Sequence, residues 1–311
     1  MTTPITPLSY EEAGVNYDLI DPLKVKAQRA AAATAIHLAG HGFGEVEASR
    51  GESAYVVDVG PFYVASIVEC LGSKALVVGW KQACDVCKVA WGGGETPALA
   101  GIVEAGRIDL AAACTGLINP KQRLSVGDKL AAGDAIVLLA SSGIHANGLS
   151  LARKLSERLP QGYLTPIDAS GTTFGDALLA PTTLYSPVTE ALWQAGITPH
   201  YAANITGHGW RKLLRHPATF TYRIHRVPAV PPVLKFMQQH AGHDDHAAYS
   251  TLNMGAGFAL FVAPGHAERT VAVAREQGVD ALLAGRVESG AKQLLIEPLG
   301  LRYGDDALQL R

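Results

Sequence analysis

The chain has 311 residues, enough for two domains and a sizeable core, with 17% charged residues and a net charge of −2. That near-neutral balance excludes a general nucleic-acid or membrane-surface binder, but not a nucleotide pocket, which needs only local donors. No apolar run reaches membrane-spanning length, and Met1-Thr2-Thr3-Pro4 does not open a basic-then-apolar leader, so a soluble cytoplasmic protein is expected.

Thr6 to Asp18 is polar, carries Tyr10 and Tyr17, and reads as an extended arm. An Ala-rich helix is predicted from Pro22 to Ala39, with Asp21 as N-cap and Pro22 in the first turn, ending at Gly40. Tyr55–Val59 and Phe62–Val68 read as strands around Gly60-Pro61. Glu69-Cys70-Leu71-Gly72-Ser73-Lys74 follows: a carboxylate, a Gly-Ser turn and a lysine that could hold a metal and a polyphosphate, or a solvated lysine after a turn. Ala75–Val78 reads as a further strand and Gly79–Val89 as a helix. Cys84 and Cys87 have C-x-x-C spacing, but no second such pair completes a zinc set, and two half-buried helix thiols are the simpler reading.

Gly92-Gly93-Gly94-Glu95-Thr96 is either a close backbone approach to a ligand, with Glu95 on metal or ribose, or a flexible hairpin. Arg107–Ile118 reads as a strand in which Asp109 needs a partner, a metal or a wet face. The polar stretch Asn119–Gly133 is the candidate boundary, giving domains 1–124 and 125–311. Ala135–Ala140 is apolar enough for a buried strand, and Leu149–Leu159 has helical spacing. The loop between them, Ser141 to Gly148, is rich in Ser, Gly, His and Asn. It is either an anion cradle at a helix start or a polar connection with Asn147 as N-cap.

Helices follow within Asp176–Ala195, broken at Pro181. Ile205 to Trp210 forms a second glycine turn, either another anion site or only the entry to a helix at Arg211–Arg215. Further elements are the strand Thr219–Ile224, the helix Val233–His240, the strand Phe258–Val262, the helix Ala267–Gln277, and strands at Ala284–Val287 and Gln293–Glu297. His240, His243, Asp244, Asp245 and His246 invite a metal, but their spacing matches no helical histidine pair, and Asp244 suits an N-cap.

Taken together these motifs resemble the phosphoribosylformylglycinamidine cyclo-ligase (aminoimidazole ribonucleotide synthetase) family. The family arm is found at Tyr10, Ala13, Gly14, Val15 and Asp18, G-G-E-T at Gly93–Thr96, and the D-L-A strand at Asp109-Leu110-Ala111. S-S-G-P-H-S-N-G becomes Ser141–Gly148, with Ile144 for Pro and Ala146 for Ser. L-L-A-P-T lies at Leu178–Thr182, and the Y-R-T-F-N-x-G-x-G motif runs from Tyr249 to Gly257. The resemblance implies an α/β (α+β) fold: an N-terminal α/β, ATP-binding domain contributing to a dimer β-barrel, plus a C-terminal α+β domain. It implies a homodimeric, cytoplasmic ligase of purine biosynthesis that uses ATP and Mg²⁺ on a small nucleotide substrate.

Carried over residue by residue, it implies Glu69, Gly72, Ser73, Lys74, Gly93, Gly94, Glu95 and Thr96 on the nucleotide, and Glu69 and Asp109 on metal. Ser142, Gly143, His145, Asn147 and Gly148 would bind the substrate anion, with His145 and Lys74 catalytic. The chain departs from the family in four places. Glu69 replaces an Asp in a loop where Ile67 and Cys70 replace small residues. His208 interrupts a G-G-G turn, and Ser250 replaces an Arg. A long family segment is missing between Val78 and Gly79; since deleting a core helix and strand would uncover apolar surface, residues absent from the sequence are expected there. A catalytically impaired nucleotide-binding relative, or another ATP enzyme of the superfamily such as a thiamine-monophosphate kinase, are the competing readings. The Tyr10 arm and the Ser141–Gly148 loop point away from the kinase.

Overall fold

A computed structural model describes residues 7–9, 11–12, 17–71, 77–90 and 110–308. The chain is a mixed α/β protein with two sheets and divides into two compact units, Ala35–Leu124 and Met1–Thr34 with Ser125–Arg311. The N-terminal stretch groups with the second unit for a local reason. Leu8 is buried, its N–H donates to Ala241 O at 2.8 Å, and its carbonyl accepts from His243 Nε2 at 2.8 Å.

Helix α1 (Tyr17–Ala32) starts earlier than predicted, with Pro22 inside it, and stops short of Ala39. Thr34 ends it: the Thr34 hydroxyl donates to Ala31 O at 2.6 Å, competing with the helical ladder. Asp21 is therefore not a cap. Its carboxylate instead accepts from His208 Nε2 at 2.9 Å.

The unit Ala35–Leu124 holds α2 (Ile36–Ala39), β1 (Gly44–Glu45), β2 (Tyr55–Asp58), β3 (Tyr63–Leu71), α3 (Val77–Cys87) and β4 (Leu110–Ile118). Its sheet is an antiparallel meander in the order β1-β2-β3-β4. Lys121 ties the far side of β4 back to β2 through Asp58 (2.6 Å), its ammonium 4.7 Å from the centre of the Tyr63 ring. One expectation fails here. Val77 and Val78 begin a helix, not a strand, since a four-residue apolar run has no period to tell the two apart. That helix runs on through Gly79 to Cys87.

The larger unit holds β5 (Ala135–Ala140), α4 (Leu149–Arg158), α5 (Phe174–Leu178), α6 (Ser186–Gln194), β6 (Tyr201–Asn204), β7 (Phe220–Ile224), α7 (Pro232–Ala241), α8 (Asp245–Thr251), β8 (Ala256–Val262), α9 (Ala267–Glu276), β9 (Ala281–Ser289), β10 (Gln293–Ile296) and β11 (Leu301–Tyr303). Its seven strands run in the order β11-β10-β7-β9-β5-β8-β6; β10 and β7 are parallel, and the other pairs are antiparallel. Helices cover both faces, which is why β5 reads as an unbroken apolar run. Ile136 and Leu138 pack with Leu151 and Leu155 of α4 and Leu234 of α7; Val137 and Leu139 pack with Leu192 of α6 and Ala274 of α9. Each of these fully buried leucines contributes about 2 kcal/mol of burial. Among the described residues no helix is long and apolar enough to cross a membrane.

Candidate anion-binding loop

The loop Ser141–Gly148 leaves the sheet where the β5–β8 register shifts, between Leu139 and Ala140. Ser141 N–H donates to Gly255 O at 2.9 Å, keeping the loop's first residue on the sheet. Beyond it the loop is held from two sides.

On one side stands Asn253, 4% exposed. Its amide nitrogen donates to Gly143 O (2.8 Å) and Ile144 O (3.3 Å). Its amide oxygen accepts from the Ser141 hydroxyl (2.7 Å) and Gly255 N–H (3.1 Å). On the other side stands His145, 8% exposed with φ +56°. Its Nε2 accepts from Ser142 N–H at 3.0 Å and from Thr183 N–H at 3.4 Å. Backbone N–H groups only donate, so Nε2 carries a lone pair and the imidazole is neutral, with its proton on Nδ1. The Ser142 hydroxyl donates to Pro181 O at 2.5 Å.

Tyr185 supports the same corner. Its hydroxyl donates to Ala140 O at 2.8 Å, its ring lies 6.2 Å from that of His145, and burial raises the phenol well above its ordinary pKa. Gly257 makes room: a Cβ there would fall on the Tyr185 hydroxyl and 2.9 Å from His145 Cε1.

The loop ends at Gly148, φ +93°, which caps α4 in the left-handed region; Asn147 does not. A Cβ at Gly148 would meet Leu252 Cδ2 at 2.8 Å. No side chain caps this ten-residue helix, and no acid lies in its first turn. Its N-terminal amides and dipole therefore face the loop without an internal anion.

Of the predicted site residues, Ser142, Gly143, His145, Asn147 and Gly148 come together here. Gly72, Ser73, Lys74, Gly93, Gly94, Glu95, Thr96 and Asp109 lie outside the described residues, as do Tyr10, Ala13, Gly14 and Val15 of the arm. Glu69 is placed only by its backbone, paired with Ala112 across β3 and β4. Asn253 is the site residue that sequence reasoning missed. Its signal was present, in the Tyr249–Gly257 motif, but nothing local says that it reaches back to Ser141.

The second glycine turn opens a six-residue 3-10 helix, Gly209–Leu214, with Trp210, Leu213 and Leu214 buried. It is a packed helix start. His208, φ +71°, sits 3% exposed, and burial outweighs the nearby Asp21 carboxylate to pull the imidazole down to about 4. The histidine cluster is also absorbed by local structure. His240 Nδ1 meets Phe236 O at 2.9 Å, His243 holds Leu8, and His246 stacks on Tyr303 at 4.6 Å. Asp244 caps α8, accepting from Ala247 N–H at 2.7 Å. Among the described residues no three metal-ligating side chains converge. Cys84 and Cys87 are free, half-buried thiols of α3.

Comparison with known proteins fits this geometry. The phosphoribosylformylglycinamidine cyclo-ligase of Methanococcus vannielii is 35% identical over 197 residues, 63% of this chain and 55% of that protein. The match thus spans about half the length of that relative. Two solved structures share the fold. Thermotoga maritima PurL complexed with FGAR has a TM-score of 0.52 at 16% identity, over 83% of this chain and 48% of that one. Thiamine-monophosphate kinase from Stenotrophomonas maltophilia has a TM-score of 0.50 at 13% identity, over 81% and 90%. Residues 131–296, the stretch that carries the loop Ser141–Gly148 and Asn253, match the family described as AIR synthase related protein, C-terminal domain, and the chain belongs to that family.

Proposed function

We propose that this chain is an ATP-dependent cyclo-ligase that converts formylglycinamidine ribonucleotide to aminoimidazole ribonucleotide in the cytoplasm. The observation that carries this reading is the uncapped start of α4 behind a loop clasped by Asn253 and His145. It lies within the stretch that matches the family. Such a loop suits the substrate's ribose phosphate, bound by backbone amides and the helix dipole. The γ-phosphoryl group of ATP passes to the formamide oxygen: an O–P bond forms and ADP leaves. A substrate nitrogen then attacks the activated carbon, the C–O bond breaks, and inorganic phosphate and a proton are released. Holding the formamide oxygen in line with the γ-phosphoryl group and its ADP leaving group does most of this work, and no covalent enzyme intermediate is needed.

His145 serves by orienting the Ser142 and Thr183 amides, since its Nε2 already accepts from both. Lys74 is proposed to balance phosphate charge, and Gly72, Ser73, Gly93, Gly94, Glu95 and Thr96 to surround the nucleotide. Glu69 and Asp109 offer the hard oxygen donors that Mg²⁺ prefers, and the bound ion would neutralise phosphate oxygens. Purified protein given ATP, Mg²⁺ and formylglycinamidine ribonucleotide is expected to release phosphate in step with ring formation. ATP binding without turnover would instead favour a binding-only relative; the fold, shared with a kinase, does not choose between reactions.

The homodimer is proposed to form through β4. This nine-residue strand is uncharged and lies at the sheet edge among the described residues, with Leu117 67% exposed and Cys114 exposed. Such an edge is a pairing template. Sedimentation equilibrium is expected to give twice the 32.7 kDa chain mass, and the chain mass after Leu117→Lys. A wild-type monomer at every concentration would remove the dimer.

A further inference from the structure

We infer that Asn253 is a positioning residue for phosphate, setting the shape of the anion loop from 112 residues away. The inference rests on the reading of Gly143–Gly148 as a phosphate cradle. Three observations carry it. First, both halves of the Asn253 amide are committed to one purpose: the NH₂ bonds the loop carbonyls of Gly143 and Ile144, and the oxygen takes the Ser141 hydroxyl. Carbonyls turned toward Asn253 leave the opposite side of those peptides to their N–H groups, because C=O and N–H of a trans peptide point in opposite directions.

Second, the clasp is itself fixed. Trp210 Nε1 donates to Asn253 O at 2.7 Å, Ala256 N–H donates to the same oxygen at 2.9 Å, and Gly255, φ +97°, reverses the chain where a Cβ would stand 3.3 Å from Pro228 Cγ. Asn253 thereby bonds both the loop and Trp210 of the 3-10 helix that follows the second glycine turn. Third, neither aspartate nor alanine can substitute. Aspartate at this buried site would place a carboxylate against the Gly143 and Ile144 carbonyls. Alanine would leave those carbonyls and the Ser141 hydroxyl without their partner.

Calorimetric titration with ribose 5-phosphate, and with inorganic phosphate, reads the clasp without needing turnover. Wild-type protein is expected to bind both, Asn253→Ala at least 10-fold more weakly, and Ser141→Ala, which removes one bond and keeps the fold, about 3-fold more weakly. Asn253→Asp is expected to recover affinity relative to wild type as pH falls, because the protonated carboxyl regains one donor. In the turnover assay the same variants should raise KM for the ribonucleotide while leaving KM for ATP within twofold. Wild-type protein that binds neither phosphate probe overturns the inference. So do variants with unchanged phosphate affinity and a lowered melting point, since Asn253 would then be only structural. Phosphate binding that follows the clasp in a protein without cyclo-ligase turnover would instead overturn the proposed reaction and leave the clasp standing.

Discussion

Replacing Gly209 by alanine is expected to lower the melting midpoint of the larger unit by roughly 10 °C, from a loss of about 3 kcal/mol in a unit of this size. Gly209 has φ +52°, where any Cβ is strained. The added methyl would also collide with Tyr249 O and stand 2.8 Å from Thr251 N and 2.9 Å from Leu252 O. These are backbone atoms at the end of α8, so no rotamer change relieves the clash. Gly196 is the control: its φ is +74°, but a Cβ there meets nothing within 4 Å, so Gly196→Ala isolates the backbone strain alone, about 1 kcal/mol. Thermal melts that place the two variants within 1 °C of one another would show that the collision carries no cost.

Acid is expected to weaken the fold through His208. In the folded chain burial holds this imidazole at about 4, against about 6.5 for an unfolded histidine. Between those values the unfolded chain takes up a proton that the folded chain refuses. Stability is therefore complete above about pH 6.5 and falls as pH drops toward 4, by about 3 kcal/mol over the whole window. His208→Asn keeps a residue that tolerates φ +71° and removes the titration. Urea unfolding near pH 7.5 and near pH 5 is expected to show wild type losing about 2 kcal/mol more than the variant over that interval. Equal losses would mean that His208 takes up its proton in the folded state as easily as in the unfolded one.

The loop at the centre of the site was legible because its signals are local. The apolar run Ala135–Ala140, the small residues after it and the helical spacing from Leu149 each depend on neighbours a few positions away. The contacts that give the loop its shape are not local. Asn253 reaches Ser141 across 112 residues, and His208 meets Asp21 across 187. Gly257 shows the middle case. A glycine within an apolar strand announces a close approach, but only the fold reveals that Tyr185 and His145 fill the space. β6 escaped notice because Tyr201-Ala202-Ala203-Asn204 has no β-branched residue, and its burial is imposed by β8. The Pro22 helix went astray differently. Proline suits a first turn, but nothing in the sequence forbade one more turn before it.

The burial of β5 on both faces carries a cost in register. A strand with one wet face resists slipping, because a one-residue shift would turn its apolar set toward water. β5 has no such guard: a slip would exchange Ile136 and Leu138 for Val137 and Leu139 with little change in polarity. Its alignment must be enforced by shape instead, through the irregularities at Ile136/Val137 against β9 and at Leu139/Ala140 against β8. One step of slippage moves the strand end by about 3.3 Å. That would carry Ser141 out of reach of Asn253, so these two kinks keep the loop in place.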